Sequence, residues 1–289
     1  MRRRVKAVVT DLDGTFWWGP AQVHDSTLPS VQTLRQRGIP VLFATGRRYA
    51  SAHAGLHPLG LAGPAVLLSG AIGADLLDGR EWHRTAFDAE AGAAVLAAFE
   101  VHGLPPVVHV SDHDVDAVVP PGCRTHPSHL RALGHPLPGD PRPAVAAGRV
   151  VGFGVCGLGP EDVAAGLAVA RAVAPFAQAY TGPDHVMGGW TIMVGPHGVS
   201  KISGIEGWCA ELGVHPCEVL AVGDGDNDLE MLAWAGTSVA VTGGSAEAAG
   251  ADHVIAAPQD GGWATVLDLV RPARLRPARR GGRPARSTG

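Results

Sequence analysis

Short apolar runs that alternate with helix-length segments constrain this chain most strongly. Near its start, residues 5–10, 39–44 and 65–68 are predicted strands, and residues 26–37 and 48–56 between them are predicted helices. Strands separated by helices form parallel sheets, because the chain must cross back over the sheet between one strand and the next. This part of the chain therefore predicts a Rossmann-like parallel α/β sheet.

The same rhythm returns near the end of the chain. Residues 201–212 and 228–235 are predicted helices, and 219–222, 238–241 and 253–255 are predicted strands. These elements can complete the sheet that the first residues begin. We therefore assign residues 1–80 and 195–271 to one core.

The pattern changes between residues 81 and 194. Two short apolar runs within 107–119 flank a polar turn and predict a hairpin, and residues 149–156 and 161–173 predict a strand and a helix. This stretch is expected to form a second α/β unit inserted into the first. It is followed, after the core, by the Arg- and Pro-rich residues 272–289, which are predicted to be disordered.

The charge balance disfavours a nucleic-acid partner, and the lengths of the apolar runs disfavour a membrane span. The whole chain carries −4 and residues 272–289 carry six arginines without an acid, so the remainder carries about −10. No apolar stretch approaches the roughly 20 residues of a membrane span. The four cysteines form no C-x-x-C pair and are expected to be reduced thiols. We expect a cytoplasmic protein, and its oligomeric state is not readable from the sequence.

Polar residues follow the predicted strands at the points where the strands end. Residues 11–15 (Asp-Leu-Asp-Gly-Thr) follow the first strand, Thr45 follows the second, and Asp224 follows strand 219–222. Ligands bind at the carboxyl ends of parallel strands, so these side chains are expected to meet at one edge. Carboxylate oxygens suit a hard divalent cation such as Mg²⁺. Lys201, one of two lysines in the chain, suggests an anion bound beside that cation.

Four segments of the chain resemble the motifs of the haloacid dehalogenase superfamily of phosphatases. Residues 11–15 resemble the first motif, and residues 44–47 (Ala-Thr-Gly-Arg) resemble the second, in the form of the subclass IIB or Cof-type hydrolases. Residues 198–201 and 223–232 resemble the third and fourth. Their order and separation also agree over residues 5 to about 270. The resemblance implies a core with a haloacid dehalogenase-like fold and an α/β cap at 81–194.

The resemblance also implies catalytic roles for four side chains. Asp11 would be the nucleophile that forms an aspartyl phosphate, and Asp13 the general acid and base. Thr45 would hydrogen-bond the transferring phosphoryl group, and Lys201 would offset the negative charge that gathers there.

The remaining roles concern the metal and the phosphate. Mg²⁺ would lie between Asp11, the backbone carbonyl of Asp13 and Asp224, and Asp228 would act on it through water or by orienting its neighbours. The resemblance further assigns phosphate or substrate binding to residues of the second and fourth motifs, which are Gly46, Arg47 and Asn227. Arg47 either binds substrate or braces the sheet edge, and both readings stay open. Asp226 is expected to be exposed and without a role.

One residue departs from the family pattern, and one group of residues gives no signal. Family members often carry Asn-Gly-Ala after the third strand, whereas this chain has Ser69-Gly70-Ala71, which puts a contact of the asparagine amide in doubt. Several histidines gather in the insert, and their spacing does not favour a metal site. These are His109, His113, His126, His129 and His135.

The sequence thus predicts a Mg²⁺-dependent phosphatase acting on a small phosphomonoester, with a sugar phosphate or similar metabolite as the first choice. Three alternatives stay open. The aspartyl phosphate could pass to a sugar hydroxyl, as in a phosphomutase or phosphotransferase of the phosphomannomutase type. The chain could instead be a non-catalytic binding protein with the same fold, or it could bind nucleic acid through its basic tail. The cap carries no motif that identifies the substrate.

Overall fold

The computed structural model describes residues 4–112, 115–133, 136–184, 187–248 and 250–270. The predicted disordered tail at 272–289 lies outside these residues, as do His113 and His135. Within the described part, the chain forms one sheet of eight strands and one of six.

The strands and helices alternate along most of the chain. The strands are β1 (Ala7–Thr10), β2 (Val41–Ala44), β3 (Pro64–Leu67), β4 (Ile72–Asp75), β5 (Glu81–Arg84), β6 (Val107–Val110), β7 (Ala117–Val119), β8 (Leu137–Pro138), β9 (Val150–Leu158), β10 (Ala177–Pro183), β11 (Trp190–Pro196), β12 (Val219–Gly223), β13 (Thr237–Val241) and β14 (His253–Ile255). The α-helices are α1 (Thr27–Gln36), α2 (Tyr49–Leu56), α3 (Ala89–Val101), α4 (Pro127–Ala132), α5 (Arg142–Ala146), α6 (Val163–Val173), α7 (Lys201–Leu212), α8 (Leu229–Trp234), α9 (Ser245–Ala248) and α10 (Val266–Leu269).

The eight-stranded sheet, which we call the first sheet, has the order β14-β13-β12-β1-β2-β3-β4-β5. The strands from β14 to β3 run parallel, and β4 and β5 add an antiparallel extension at one edge. In the register of the sheet, Thr10 of β1 lies opposite Val222 of β12 and Phe43 of β2. The carboxyl ends of these three strands therefore lie side by side, which confirms the predicted α/β class.

Both faces of the first sheet are covered. On one face Val8, Phe43 and Leu67 pack with Phe16 and Trp263 in a core that also includes residues of α1. On the other face Val9, Leu42 and Val66 pack against Ile205 and Trp208 of α7. A parallel sheet buried on both faces requires nearly continuous apolar strands, and the four residues of β1 are all buried.

The six-stranded sheet, which we call the second sheet, has the order β10-β11-β9-β6-β7-β8 and is antiparallel except for the β7–β8 pair. Its core contains Phe99 of α3, Phe153 of β9 and Val169 of α6. Met193 of β11 instead packs against the core of the first sheet. The second sheet is therefore covered by helices on one face and turns part of its other face toward the first sheet.

Two strands extend across the predicted bounds of the insert. β5 at Glu81–Arg84 belongs to the first sheet, whereas the predicted insert begins at residue 81. At the other end, β11 carries the second sheet to Pro196, past the predicted boundary at 194. The division of the chain into a core and a cap stays a prediction. None of the helices in the described part of the chain has the length and apolar character that crossing a bilayer needs.

Candidate active site

Three strand ends bring distant residues of the sequence together. Asp11 follows β1, Thr45 follows β2 and Asp224 follows β12. The backbone N–H of Asp11 donates a hydrogen bond of 2.9 Å to the carbonyl of Val222, which continues the β1–β12 pairing into the site. The strand pairing itself therefore fixes the spacing between the first and fourth predicted motifs.

Lys201 connects two of the carboxylates. Its Nζ lies 2.5 Å from Oδ1 of Asp11 and 2.6 Å from Oδ1 of Asp228. The lysine side chain is only 1% exposed, so its charge depends on these partners. Burial lowers the pKa of Lys201, but the two carboxylates raise it more strongly, and the net shift is upward. Lys201 is therefore a fixed positive charge at the strand ends.

A close backbone contact positions the helix that carries this lysine. Lys201 is the first residue of α7, and the carbonyl of Ser200 lies against Gly70. A Cβ on Gly70 would be 1.9 Å from that carbonyl oxygen, and the glycine has a φ of +116°. Any side chain at this position would clash with the carbonyl and strain the backbone, so glycine is required for α7 to begin beside Asp11.

Asp228 organises the turn after β12. Its Oδ2 accepts hydrogen bonds of 3.0 Å from the backbone N–H groups of Asp224 and Gly225. Its Oδ1 is already bound by Lys201, so both carboxylate oxygens have partners within the protein. This arrangement favours the predicted orienting role for Asp228.

Asp224 is held from the first motif. Its Oδ1 accepts a hydrogen bond of 2.5 Å from the hydroxyl of Thr15, which is 209 residues away in the sequence. Gly14 has a φ of +81°, and a Cβ there would be 2.6 Å from Oδ2 of Asp224. The turn of residues 11–15 therefore approaches Asp224 more closely than any other residue type would permit.

The site concentrates negative charge. Ligand oxygens of Asp11, Asp224 and Asp228 all lie within 4.8 Å of one another. Burial raises the pKa of Asp11 well above its ordinary value; Lys201 lowers it in part, and Asp228 and Asp224 raise it further. Burial also raises the pKa of Asp224, against the hydrogen bond from Thr15. An additional cation would stabilise these carboxylates, and an all-oxygen donor set suits Mg²⁺.

Asp13 and Arg47 form a pair at the mouth of the site. The Nε and Nη2 atoms of Arg47 lie 2.6 Å from the two carboxylate oxygens of Asp13. Asp13 also accepts a hydrogen bond of 2.9 Å from the indole N–H of Trp17, and the guanidinium of Arg47 lies 5.3 Å from the centre of that tryptophan. Burial lowers the pKa of Arg47, but the bond to Asp13 raises it, with a net upward shift. In this structure Arg47 therefore holds the carboxylate of Asp13.

The second motif forms a tight turn. The Oγ1 of Thr45 accepts a hydrogen bond of 3.1 Å from the backbone N–H of Arg47, and the carbonyl of Thr45 accepts one of 3.0 Å from Ser69. Thr45 is buried and Gly46 is exposed, with the Ser69 hydroxyl close to it. In the fourth motif Asn227 is half-buried and Asp226 is exposed, as expected. The functional roles of these residues stay predictions.

The structure adds residues that the sequence alone did not single out. Trp17 and Thr15 each hold a carboxylate of the site. A small cavity between the sheets is lined by Ser69, which follows β3 of the first sheet, and by Tyr180 and Met193 of the second. Thr15 lies in the first motif, but its partner Asp224 is too far along the chain to be recognised from sequence. No local signal marks Tyr180 or Met193.

Comparisons with known proteins identify the family. A family model described as haloacid dehalogenase-like hydrolase matches residues 8–115 and 185–267. A phosphoglycolate phosphatase of Methanopyrus kandleri is 28% identical over 234 residues, which span 81% of this chain and 82% of that protein. Another, from Natronomonas pharaonis, is 40% identical over 94 residues, but these span only 32% of this chain and 42% of that relative.

Solved structures show the same fold. The protein TM0651 from Thermotoga maritima has a TM-score of 0.76 at 17% identity, covering 92% of this chain and 98% of that one. The subclass IIB sugar phosphatase BT4131 has a TM-score of 0.73 at 19% identity, with the same coverage. At these identities the likeness extends to the fold alone.

Proposed function

The chain belongs to the haloacid dehalogenase-like hydrolases, whose family model matches most of it, and on that premise we propose a Mg²⁺-dependent phosphatase acting through an aspartyl phosphate. One observation carries the proposal. The buried Lys201 lies within 2.6 Å of carboxylates from two motifs, next to a third carboxylate, at the ends of parallel strands. Such a charge arrangement suits a bound phosphate together with a cation.

The chain's own residues supply both halves of the reaction. A carboxylate oxygen of Asp11 attacks phosphorus, the ester oxygen leaves, and Asp13 gives that oxygen a proton. Asp13 then takes a proton from water, whose oxygen attacks the phosphorus of the aspartyl phosphate and frees Asp11. Thr45 and Lys201 hold the transferring group in place. Asn227 and the turn at Gly46 supply further polar contacts for the phosphate.

The metal would be held by oxygen atoms of the first and fourth motifs. Asp11, Asp224 and the backbone carbonyl of Asp13 are the proposed ligands, and Asp228 orients the turn that carries Asp224. When bound, Mg²⁺ would offset the charge of the phosphoryl group and of the carboxylates around it. The absence of a Cβ on Gly14 keeps the space beside Asp224 open.

The proposed substrate is a small phosphorylated metabolite. The relatives named above include phosphatases for phosphoglycolate and for sugar phosphates, which are both small and polar. A sugar phosphate is our first choice, and residues of the second sheet are expected to select it. We further propose a cytoplasmic enzyme without a nucleic-acid partner, in line with the acidic body of the chain.

The direct test is a screen of phosphorylated metabolites with the purified protein in Mg²⁺. We expect release of inorganic phosphate from at least one small phosphomonoester. EDTA should abolish the release and added Mg²⁺ should restore it. Undiminished rates in chelator would contradict the metal assignment, and an isomerised phosphate ester in place of free phosphate would identify a mutase.

A further inference from the structure

Arg47, the last residue of the second motif, and Arg48, which follows it, contact different parts of the molecule. Arg47 binds Asp13 within the first motif. Arg48 instead extends toward the second sheet, where its Nη1 binds the carboxylate of Asp116 and its Nη2 donates to the carbonyl of Leu133. One short turn thus contacts both the proposed general acid and the inserted part of the chain.

Asp116 contacts the core at two points. Besides Arg48, it accepts a hydrogen bond of 3.0 Å at Oδ2 from the backbone N–H of Ala50, in the first turn of α2. A carboxylate is favourable there, since the first N–H groups of a helix lack partners within the helix. Asp116 therefore caps a helix of the core from the β6–β7 hairpin of the insert.

The Arg48–Asp116 contact is shielded from water. The side chains of Arg48 and Asp116 are 5% and 10% exposed, unlike the exposed ion pair Arg142–Glu100 within the insert. A buried ion pair is sensitive to the loss of either partner, because the remaining charge is left without compensation. The backbone carbonyl of Asp116 accepts a hydrogen bond from the N–H of Val110, so Asp116 is joined to β6 of the hairpin.

We propose, on the basis of the proposed phosphatase function, that Asp116 is a positioning residue for catalysis. By holding Arg48 and the start of α2, it fixes the turn at residues 45–48 and, through Arg47, the direction of the Asp13 carboxylate. The same contact fixes the insert against the core. The position of the insert is thereby coupled to proton delivery to the leaving group.

The kinetic test compares two substrates that differ in their need for a proton. The nitrophenolate of p-nitrophenyl phosphate leaves unprotonated, whereas the sugar oxygen of glucose 6-phosphate needs a proton from Asp13. We expect Asp116→Asn to lower kcat/KM for glucose 6-phosphate by about 10- to 100-fold, the range of a small misplacement of a catalytic group. This constant reports the attack by Asp11 and the departure of the ester oxygen, and it does not include the later hydrolysis of the aspartyl phosphate, which both substrates share. For p-nitrophenyl phosphate the loss should be much smaller. The ratio of the two rates does not depend on how much of the variant is folded.

The matched control is Asp162→Asn, which removes a carboxylate from the Arg124–Asp162 ion pair inside the insert. It should leave the ratio of the two rates unchanged. Arg48→Gln should reproduce the effect of Asp116→Asn, and the double variant should be no worse than the poorer single variant, since the two residues act as one unit. A ratio in Asp116→Asn equal to that of wild type would overturn the proposal.

Hydrogen exchange tests the contact without reference to activity. In Asp116→Asn, the amides of the turn and α2 (residues 45–56) and of the described part of the hairpin (109–112 and 115–119) should exchange faster than in wild type or in Asp162→Asn. Unchanged exchange in both segments would contradict the proposal. If the wild-type protein releases phosphate from no phosphomonoester in the screen, the proposed function fails, and the exchange experiment still decides whether Asp116 fixes the turn.

Discussion

The site at the strand ends of the first sheet and the cavity between the two sheets differ in charge. At the strand ends of the first sheet, Lys201 contacts two of three clustered carboxylates, and burial raises the pKa of Asp11 and Asp224. On the second sheet, the residues near the site include uncharged Tyr180 and Met193. The first arrangement leaves charge for a cation and a phosphate to balance. The cavity between the sheets is instead lined by uncharged residues.

The largest expected effect tests the charged site at the strand ends of the first sheet. Asp11→Asn removes the charge of the proposed nucleophile with almost no change in volume, and we expect turnover to fall by about 10,000-fold or more. Steady-state phosphate release measures this. The control is Asp226→Asn, an exposed neighbour in the fourth motif, which should retain near-normal activity. Substantial turnover by Asp11→Asn would show that another group attacks phosphorus.

The second prediction uses the two lysines of the chain. Lys201→Met leaves Asp11 and Asp228 without their buried cation, and we expect a loss of about 3–5 kcal/mol in the free energy of unfolding, together with loss of activity. Lys6→Met removes the half-exposed partner of Glu218 and should cost at most about 1 kcal/mol. Urea denaturation of both variants measures the difference. Equal costs would mean that Lys201 is not held as its contacts indicate.

The third prediction concerns a buried titratable group on the second sheet. His109 lies near Arg48 and Asp116, and burial, with a smaller contribution from Arg48, lowers its pKa to about 4. In the unfolded chain the imidazole binds a proton near its ordinary pKa of 6.5. The contribution of His109 to the free energy of unfolding is therefore fully present above pH 6.5. This stabilisation is lost as the pH falls toward 4, by roughly 3 kcal/mol in all.

The matched variants for this prediction are His109→Gln and His197→Gln. Only His109→Gln should reduce the fall in the free energy of unfolding between pH 6.5 and about 4, because His109 is buried and His197 is exposed. Denaturation midpoints measured at several pH values in this window give the comparison. If both variants kept the full wild-type slope, the acid sensitivity would come from other groups.

Several elements could be predicted because their signals are local. The helix at Lys201–Leu212 ends at Gly213 in the left-handed conformation, and the strand at His253–Ile255 is a short apolar run, and both match the predicted bounds. The helix α3 is not among the predicted elements, although Asp88 caps it and Val95 and Phe99 lie in the core of the second sheet. That signal was available in the sequence.

Other elements could not be predicted from local patterns. β5 reads Glu-Trp-His-Arg and lacks the alternation of a half-buried strand. Its Trp82 finds a partner in the carbonyl of Gly204, on a helix more than a hundred residues away. Similarly, nothing near Asp116 predicts that its carboxylate caps α2. The roles of such residues depend on contacts between segments that are distant in the sequence.

The sequence by itself determined the α/β class, the order of the four motifs and the residues that carry the charge of the site. These follow from apolar periodicity and from polar residues at strand ends, which are properties of short segments. Only the tertiary structure decided that Arg47 holds Asp13, that Thr15 holds Asp224 and that Asp116 contacts Arg48. These pairs depend on side-chain direction and burial, which arise when distant segments pack together.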